Sequence, residues 1–77
     1  MFDLAKLPVC RAREVVAALR QAGFSVDHQT GSHAILYKAD HPNPVTVPMH
    51  SGDLKSGTLR RIVKDAGLTI EVFKDLL

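Results

Sequence analysis

Phe24-Ser25-Val26-Asp27-His28-Gln29, then Thr30-Gly31, then Ser32-His33-Ala34-Ile35-Leu36-Tyr37-Lys38 read in succession as a strand, a turn and a second strand. Phe24 and Val26 alternate with Ser25 and Asp27, the period of two expected of a strand with one covered face. Thr30-Gly31 supplies the break, because glycine permits a tight turn and a close backbone approach. In the second strand His33, Ile35 and Tyr37 share one face while Ala34 and Leu36 share the other, so alternation alone leaves its inward side open. Asp40-His41-Pro42-Asn43-Pro44 cannot continue a ladder, since proline has no amide to donate, and is predicted as a loop. Val45-Thr46-Val47 is the third strand, ended by Pro48.

Helical periodicity flanks this segment on both sides. Ala12, Val15, Val16, Leu19 and Ala22 recur at spacings of three and four and form one apolar stripe, with Arg11, Arg13, Glu14 and Arg20 largely off it. Cys10 stands where a capping Ser or Thr is expected, so the cap is weak, and Gly23 suits a left-handed stop. Downstream, Leu59, Ile62, Val63 and Ala66 make a second stripe that stops at Gly67, with Asp53 or Ser56 as its cap. Thr69 caps a short last helix, with Leu68 and Phe73 at the two positions of a hydrophobic staple. Val72, Phe73, Leu76 and Leu77 then need cover. The order predicted is helix, three-stranded antiparallel sheet, helix, short helix. This is an α+β arrangement with helices on one sheet face and the other face open to a partner. Double-stranded RNA-binding domains share this plan, a likeness of fold that does not assign a function.

Seventy-seven residues suffice for one domain around one small core. The single cysteine excludes an internal disulfide, so packing or a partner must supply the stability. The opening Met1-Phe2-Asp3-Leu4-Ala5-Lys6 carries an early acid and is soon followed by Pro8, unlike a secretory leader. No run approaches the roughly eighteen apolar residues that span a bilayer. A reducing, cytoplasmic setting without membrane attachment is expected. Ten Lys and Arg against eight Asp and Glu leave a net charge of +2, a poor pointer to nucleic acid by itself. Distribution says more: between Lys55 and Lys64 lie Arg60 and Arg61 and no acid. A solvated helix face accounts for that run as readily as an RNA-binding surface does.

The histidines carry the chemistry. Cleavage of RNA needs a base to take the proton of a ribose 2′-hydroxyl and positive charge around the phosphoryl oxygens. Imidazole suits the first task and Lys or Arg the second. His33 follows Gly31-Ser32 at a strand opening, and Ser32 offers a hydroxyl and an amide to a phosphate. His50 falls in the loop with Ser51-Gly52-Asp53, and His28 reaches the same side across the hairpin. His41 sits in the proline-rich loop and is read as structural. As chemistry alone, His33 is equally a half-covered strand residue and His50 an exposed loop residue. No His-x-x-His, His-Glu-x-x-His or cysteine pair is present, so neither a metal nor another cofactor is expected. Cys10 has no neighbouring histidine to make it a nucleophile.

Ala22-Gly23-Phe24, Gly31-Ser32-His33, Val47-Pro48-Met49-His50 and Gly57-Thr58-Leu59-Arg60-Arg61-Ile62 occur in this order and spacing. Together they resemble the HicA, or YcfA-like, family of toxins, over about Arg13 to Leu68. The resemblance implies a double-stranded-RNA-binding-like fold and a ribosome-independent mRNA interferase, paired with a HicB antitoxin that blocks it. It implies that His33, the histidine of the Gly-Ser-His motif, is catalytic, and the Pro-x-His histidine carries over to His50 as an auxiliary; Ser32 and His28 are added as auxiliaries on their own chemistry. Gly57 then lies at a helix start whose amides help hold phosphate, and Gly31 permits phosphate approach. Lys55, Arg60, Arg61 and Lys64 are the expected RNA contacts. On this basis residues 1–77 are one HicA-like toxin domain. The chain departs from many family members in carrying His28, next to Asp27, where they carry Arg, so a permanent charge becomes a titratable one. A non-catalytic RNA-binding or protein-binding module of the same fold is the competing expectation.

Overall fold

A computed structural model describes residues 7–50 and 52–77. The opening stretch Met1–Lys6, read above as unlike a leader, and the loop residue Ser51 lie outside the described residues. Helix α1 spans Ala12–Gln21, strands β1, β2 and β3 span Ser25–Gln29, His33–Tyr37 and Val45–Pro48, and helices α2 and α3 span Ser56–Asp65 and Ile70–Leu76. The strands form one antiparallel sheet in chain order with β2 in the middle. The chain therefore has the α-β-β-β-α plan with an extra C-terminal helix, the double-stranded-RNA-binding-like α+β fold expected of it.

Packing settles which side of β2 faces inward. Ala34 pairs with Val47 and Leu36 with Val45, and all four side chains are fully buried. Ala12, Val15, Ala18 and Leu19 of α1 and Leu59, Ile62 and Val63 of α2 close over them. His33 and Tyr37 are consequently exposed on the opposite face, with Ile35 half-covered. The alternation expected of β1 is not realised as burial. Phe24 enters the core from just before the strand, whereas every residue of β1 is exposed and Val26 retains 39% of its surface. The register shifts between Val26 and His28, so Asp27 bulges from this edge strand and breaks the period of two.

Both long helices start differently from expectation. The first cap is Arg11, not Cys10: its amide donates to the Glu14 carboxylate at 2.9 Å, an acid in the first turn. The second cap is Lys55, neither Asp53 nor Ser56, and its own side chain makes no capping hydrogen bond. Both stops are as predicted. Gly23 donates to the Arg20 carbonyl and Phe24 to that of Leu19; likewise Gly67 donates to Lys64 and Leu68 to Val63. These paired bonds form the Schellman motif, which requires the left-handed φ of +107° at Gly23 and +73° at Gly67. Thr69 caps α3 as read, its hydroxyl accepting from the Val72 amide at 3.1 Å.

Of the four α3 side chains expected to need cover, Phe73 is fully buried and Leu76 packs at the core margin, while Val72 and Leu77 stay half exposed. A chain of this size has a total stability of about 4–12 kcal/mol, at 0.05–0.15 kcal/mol per residue. Phe73→Ala should cost about 3–5 kcal/mol by leaving a cavity, and Val72→Ala about 0.5 kcal/mol or less. Urea unfolding of both variants checks this; equal losses would mean that α3 is not a structural part of the core.

Candidate functional site

The turn between β1 and β2 holds the first candidate in place. Thr30 donates its amide to the His33 carbonyl at 2.9 Å, and the His33 amide donates to the Thr30 hydroxyl oxygen at 3.1 Å. Gly31 and Ser32 thus form a two-residue tip. Gly31 is not in the left-handed region, and a side chain there would meet nothing within 4 Å. The turn itself does not demand glycine, contrary to the tight-turn expectation; what the missing side chain leaves is open space beside His33.

His33 is exposed, and its Nδ1 lies 3.0 Å from Ser32 Oγ. In the tautomer whose Nδ1–H donates to that oxygen, Nε2 carries the lone pair and can accept a proton. In the other, the serine hydroxyl donates to Nδ1 and Nε2–H is a donor. The serine therefore orients the ring, and its hydroxyl is engaged with the imidazole. Its carbonyl accepts from the Met49 amide at 2.7 Å, which ties the strand following His33 to the segment that leads into His50. His33 itself faces Pro48 across the ladder. A proline is tolerated there because β3 is an edge strand.

His50 is exposed two residues beyond that pair, and it lines an open groove of about 250 Å³ with Arg11, Ala12, Arg13, Met49 and Gly52. His28 stands opposite Ile35, on the His33 face of the sheet, and its Nδ1 is 2.9 Å from Asp27 Oδ2. Both partners of that pair are more than half exposed, so their attraction is weak in water. Among the described residues no three His, Cys, Asp or Glu side chains cluster as metal ligands.

The four predicted cations are spread along α2 and its start. Lys55 and Gly57 stand at the start of α2, on the His50 side. Lys64 lies roughly 13 Å further along the axis, at 1.5 Å per residue. Arg60, Arg61 and Lys64 are exposed and lead toward the far end of the sheet. That far end is marked by His41, whose Nε2–H donates to the Asp65 carbonyl at 2.7 Å and whose ring meets Phe24 edge to face at 5.3 Å. A structural use of His41 is thereby accounted for. Arg11 and Arg13 are the residues that sequence reasoning passed over. They fell outside the apolar stripe of α1 and so counted as solvated, and nothing local links them to a loop about forty residues downstream.

A family model described as the HicA toxin of bacterial toxin–antitoxin matches residues 12–68, from the first residue of α1 to just beyond α2. No curated protein matches the chain.

Cys10 stands apart from this chemistry. It is 1% exposed, its thiol donates weakly to the Pro8 carbonyl at 3.9 Å, and burial, followed by the Glu14 and Asp53 carboxylates, pushes its pKa above the ordinary thiol value. The thiolate is therefore scarce at neutral pH. Because the folded pKa lies above the unfolded one, the corresponding stability is present below the unfolded value and is lost as pH rises through the folded value. Iodoacetamide at pH 8 should label the native chain at least about a hundredfold more slowly than the urea-unfolded chain, since reaction requires opening. Equal rates would contradict a buried, inert thiol.

Proposed function

The chain belongs to the HicA toxin family of bacterial toxin–antitoxin systems, and on that premise we propose that it is an mRNA interferase whose catalytic residue is His33. In this reading residues 1–77 act as one toxin domain in the cytoplasm, cleaving mRNA independently of the ribosome and without a divalent metal. No helix among the described residues is long and apolar enough to cross a membrane. The observation that carries the proposal is the exposed His33 ring, oriented through Nδ1 by Ser32 at the tip of a hydrogen-bonded turn.

Nε2 of His33 takes the proton of a ribose 2′-hydroxyl, and the 2′-oxygen attacks the adjacent phosphorus. The bond from phosphorus to the 5′-oxygen breaks, leaving a 2′,3′-cyclic phosphate on one fragment and, once a proton is delivered, a 5′-hydroxyl on the other. In this reading His50 donates that proton; the segment leading into it is tied to the Ser32 carbonyl through the Met49 amide. His28 adds charge on the same sheet face when protonated. Negative charge on the phosphoryl oxygens is met by amides at the start of α2, where Gly57 leaves open space, and by Lys55. Arg60, Arg61 and Lys64 extend the contact along the RNA backbone and act on affinity more than on the chemical step.

His33→Ala should lower mRNA cleavage by about 100- to 10,000-fold while leaving the unfolding transition in place. The measurement is a time course with purified, antitoxin-free protein in excess chelator. Cleavage by the variant at the parental rate would sink the role of His33, and activity restored only by one particular divalent metal would sink the metal-free chemistry. A cognate HicB-like antitoxin should cover the His33 end of the molecule. With a net charge of only +2, the complex cannot rest on charge alone and should resist moderate salt. A complex that still cleaves RNA, with its partner bound away from His33, would refute inhibition by steric cover.

A further inference from the structure

The groove beside His50 is lined by two arginines that a regular helix would turn apart. Residues two apart on a helix point to different sides. Arg11, however, is the cap residue, with an extended backbone at φ −91° and ψ 160°, whereas Arg13 is already in the helix. Both line the same groove, together with His50 from the β3–α2 loop, and Ala12 and Gly52 keep its walls low. The Glu14 carboxylate accepts from the Arg11 backbone amide and Asp53 is held in a backbone bridge to Arg11. Neither forms an ion pair with a guanidinium: the ion pair found among the described residues joins Asp27 and His28. Two exposed arginines with no carboxylate ion pair among the described residues line a concavity with a histidine, and arginine offers forked donors suited to a phosphodiester. The groove also adjoins the His33 turn, since Met49 lines it and donates to the Ser32 carbonyl at 2.7 Å.

We infer that this groove holds a backbone phosphate of the RNA strand next to the one cleaved at His33, with Arg11 and Arg13 as its grip. The inference rests on the nuclease function proposed above and extends it to how the strand is positioned. The strand crosses from the β1–β2 turn to the start of α1, and the contact is indifferent to base sequence because it is made to phosphate alone. Arg11 and Arg13 are then RNA-binding residues at the reactive end, closer to His33 than the outer half of α2.

The test separates binding from cutting. A fluorescent 2′-O-methyl RNA oligonucleotide, which lacks the attacking hydroxyl, is titrated with the full chain between 50 and 200 mM salt, and unmodified RNA is cleaved in parallel. R11Q/R13Q should weaken binding by roughly tenfold or more. It should also flatten the slope of log affinity against log salt by about 1.4, the release expected for two single-strand phosphate contacts. R11K/R13K should keep the parental slope yet recover only part of the affinity, because lysine restores charge without the fork. If the double glutamine variant fails to fold, the single variants carry the same comparison. Parental affinity and slope in a folded R11Q/R13Q chain would overturn the groove and leave the nuclease function standing. A parent that neither binds nor cuts RNA would overturn both, whereas arginine-dependent binding with undiminished cleavage by H33A would keep the groove and remove the role of His33.

Discussion

Leu54 donates its amide to the Cys10 carbonyl at 2.8 Å, and Arg11 bridges to Asp53, so the segments leading into α1 and α2 are held side by side. Three antiparallel strands separate the two helices, and each reversal flips the chain direction. Consequently α1, β2 and α2 all run in the same sense. Their starting points gather at one end of the sheet: Arg11 and Arg13, the Ser32-His33 turn, and Lys55 with Gly57. Helix starts carry unsatisfied amides and partial positive charge. This backbone clasp therefore gathers the basic residues Arg11, Arg13 and Lys55 at one end of a chain whose net charge is only +2.

The opposite end does structural work with different chemistry. Gly23 and Gly67 close the two helices there, and His41 bonds the last turn of α2 while packing on Phe24. A side chain at Gly67 would come within 3.3 Å of the His41 ring, so glycine at that point serves both the helix stop and the latch. Lys38 lies over the other aromatic partner, 5.7 Å from the Phe24 ring centre. One sheet end is thus clamped by directional contacts, and the other presents exposed side chains on a short, well-bonded turn. A rigid scaffold carrying its reactive groups on a loop tip is a common division of labour in small proteins.

Much of the fold is legible in local pattern. The stripes of α1 and α2, the glycines that stop them, the threonine that starts α3 and the prolines that bound β3 are all short-range signals, and each is realised. Two kinds of local signal fail. Helix starts escape local pattern because Arg11 and Lys55 are not capping residue types; Glu14 three residues on accepts from the Arg11 amide, and the Lys55 side chain makes no cap. In β1 the alternation of Phe24 and Val26 promised a covered face, but a bulge at Asp27 and a position at the sheet edge leave the strand exposed. Neither the edge position nor the bulge has a signature in a single short segment.

For the candidate site the division is sharper. The sequence by itself determined the chemical types and their order: Gly31-Ser32-His33 after a strand, His50 after a third strand, and a basic helix beyond, in a succession that resembles one toxin family. Tertiary structure alone decided which face of β2 carries His33, because that follows from which side the helices cover. It alone brought Arg11 and Arg13 into a groove with His50. Local periodicity records what each segment buries. It contains no information about distant segments that share no pattern, and only the packing of α1 against the β3–α2 loop places two arginines beside that histidine.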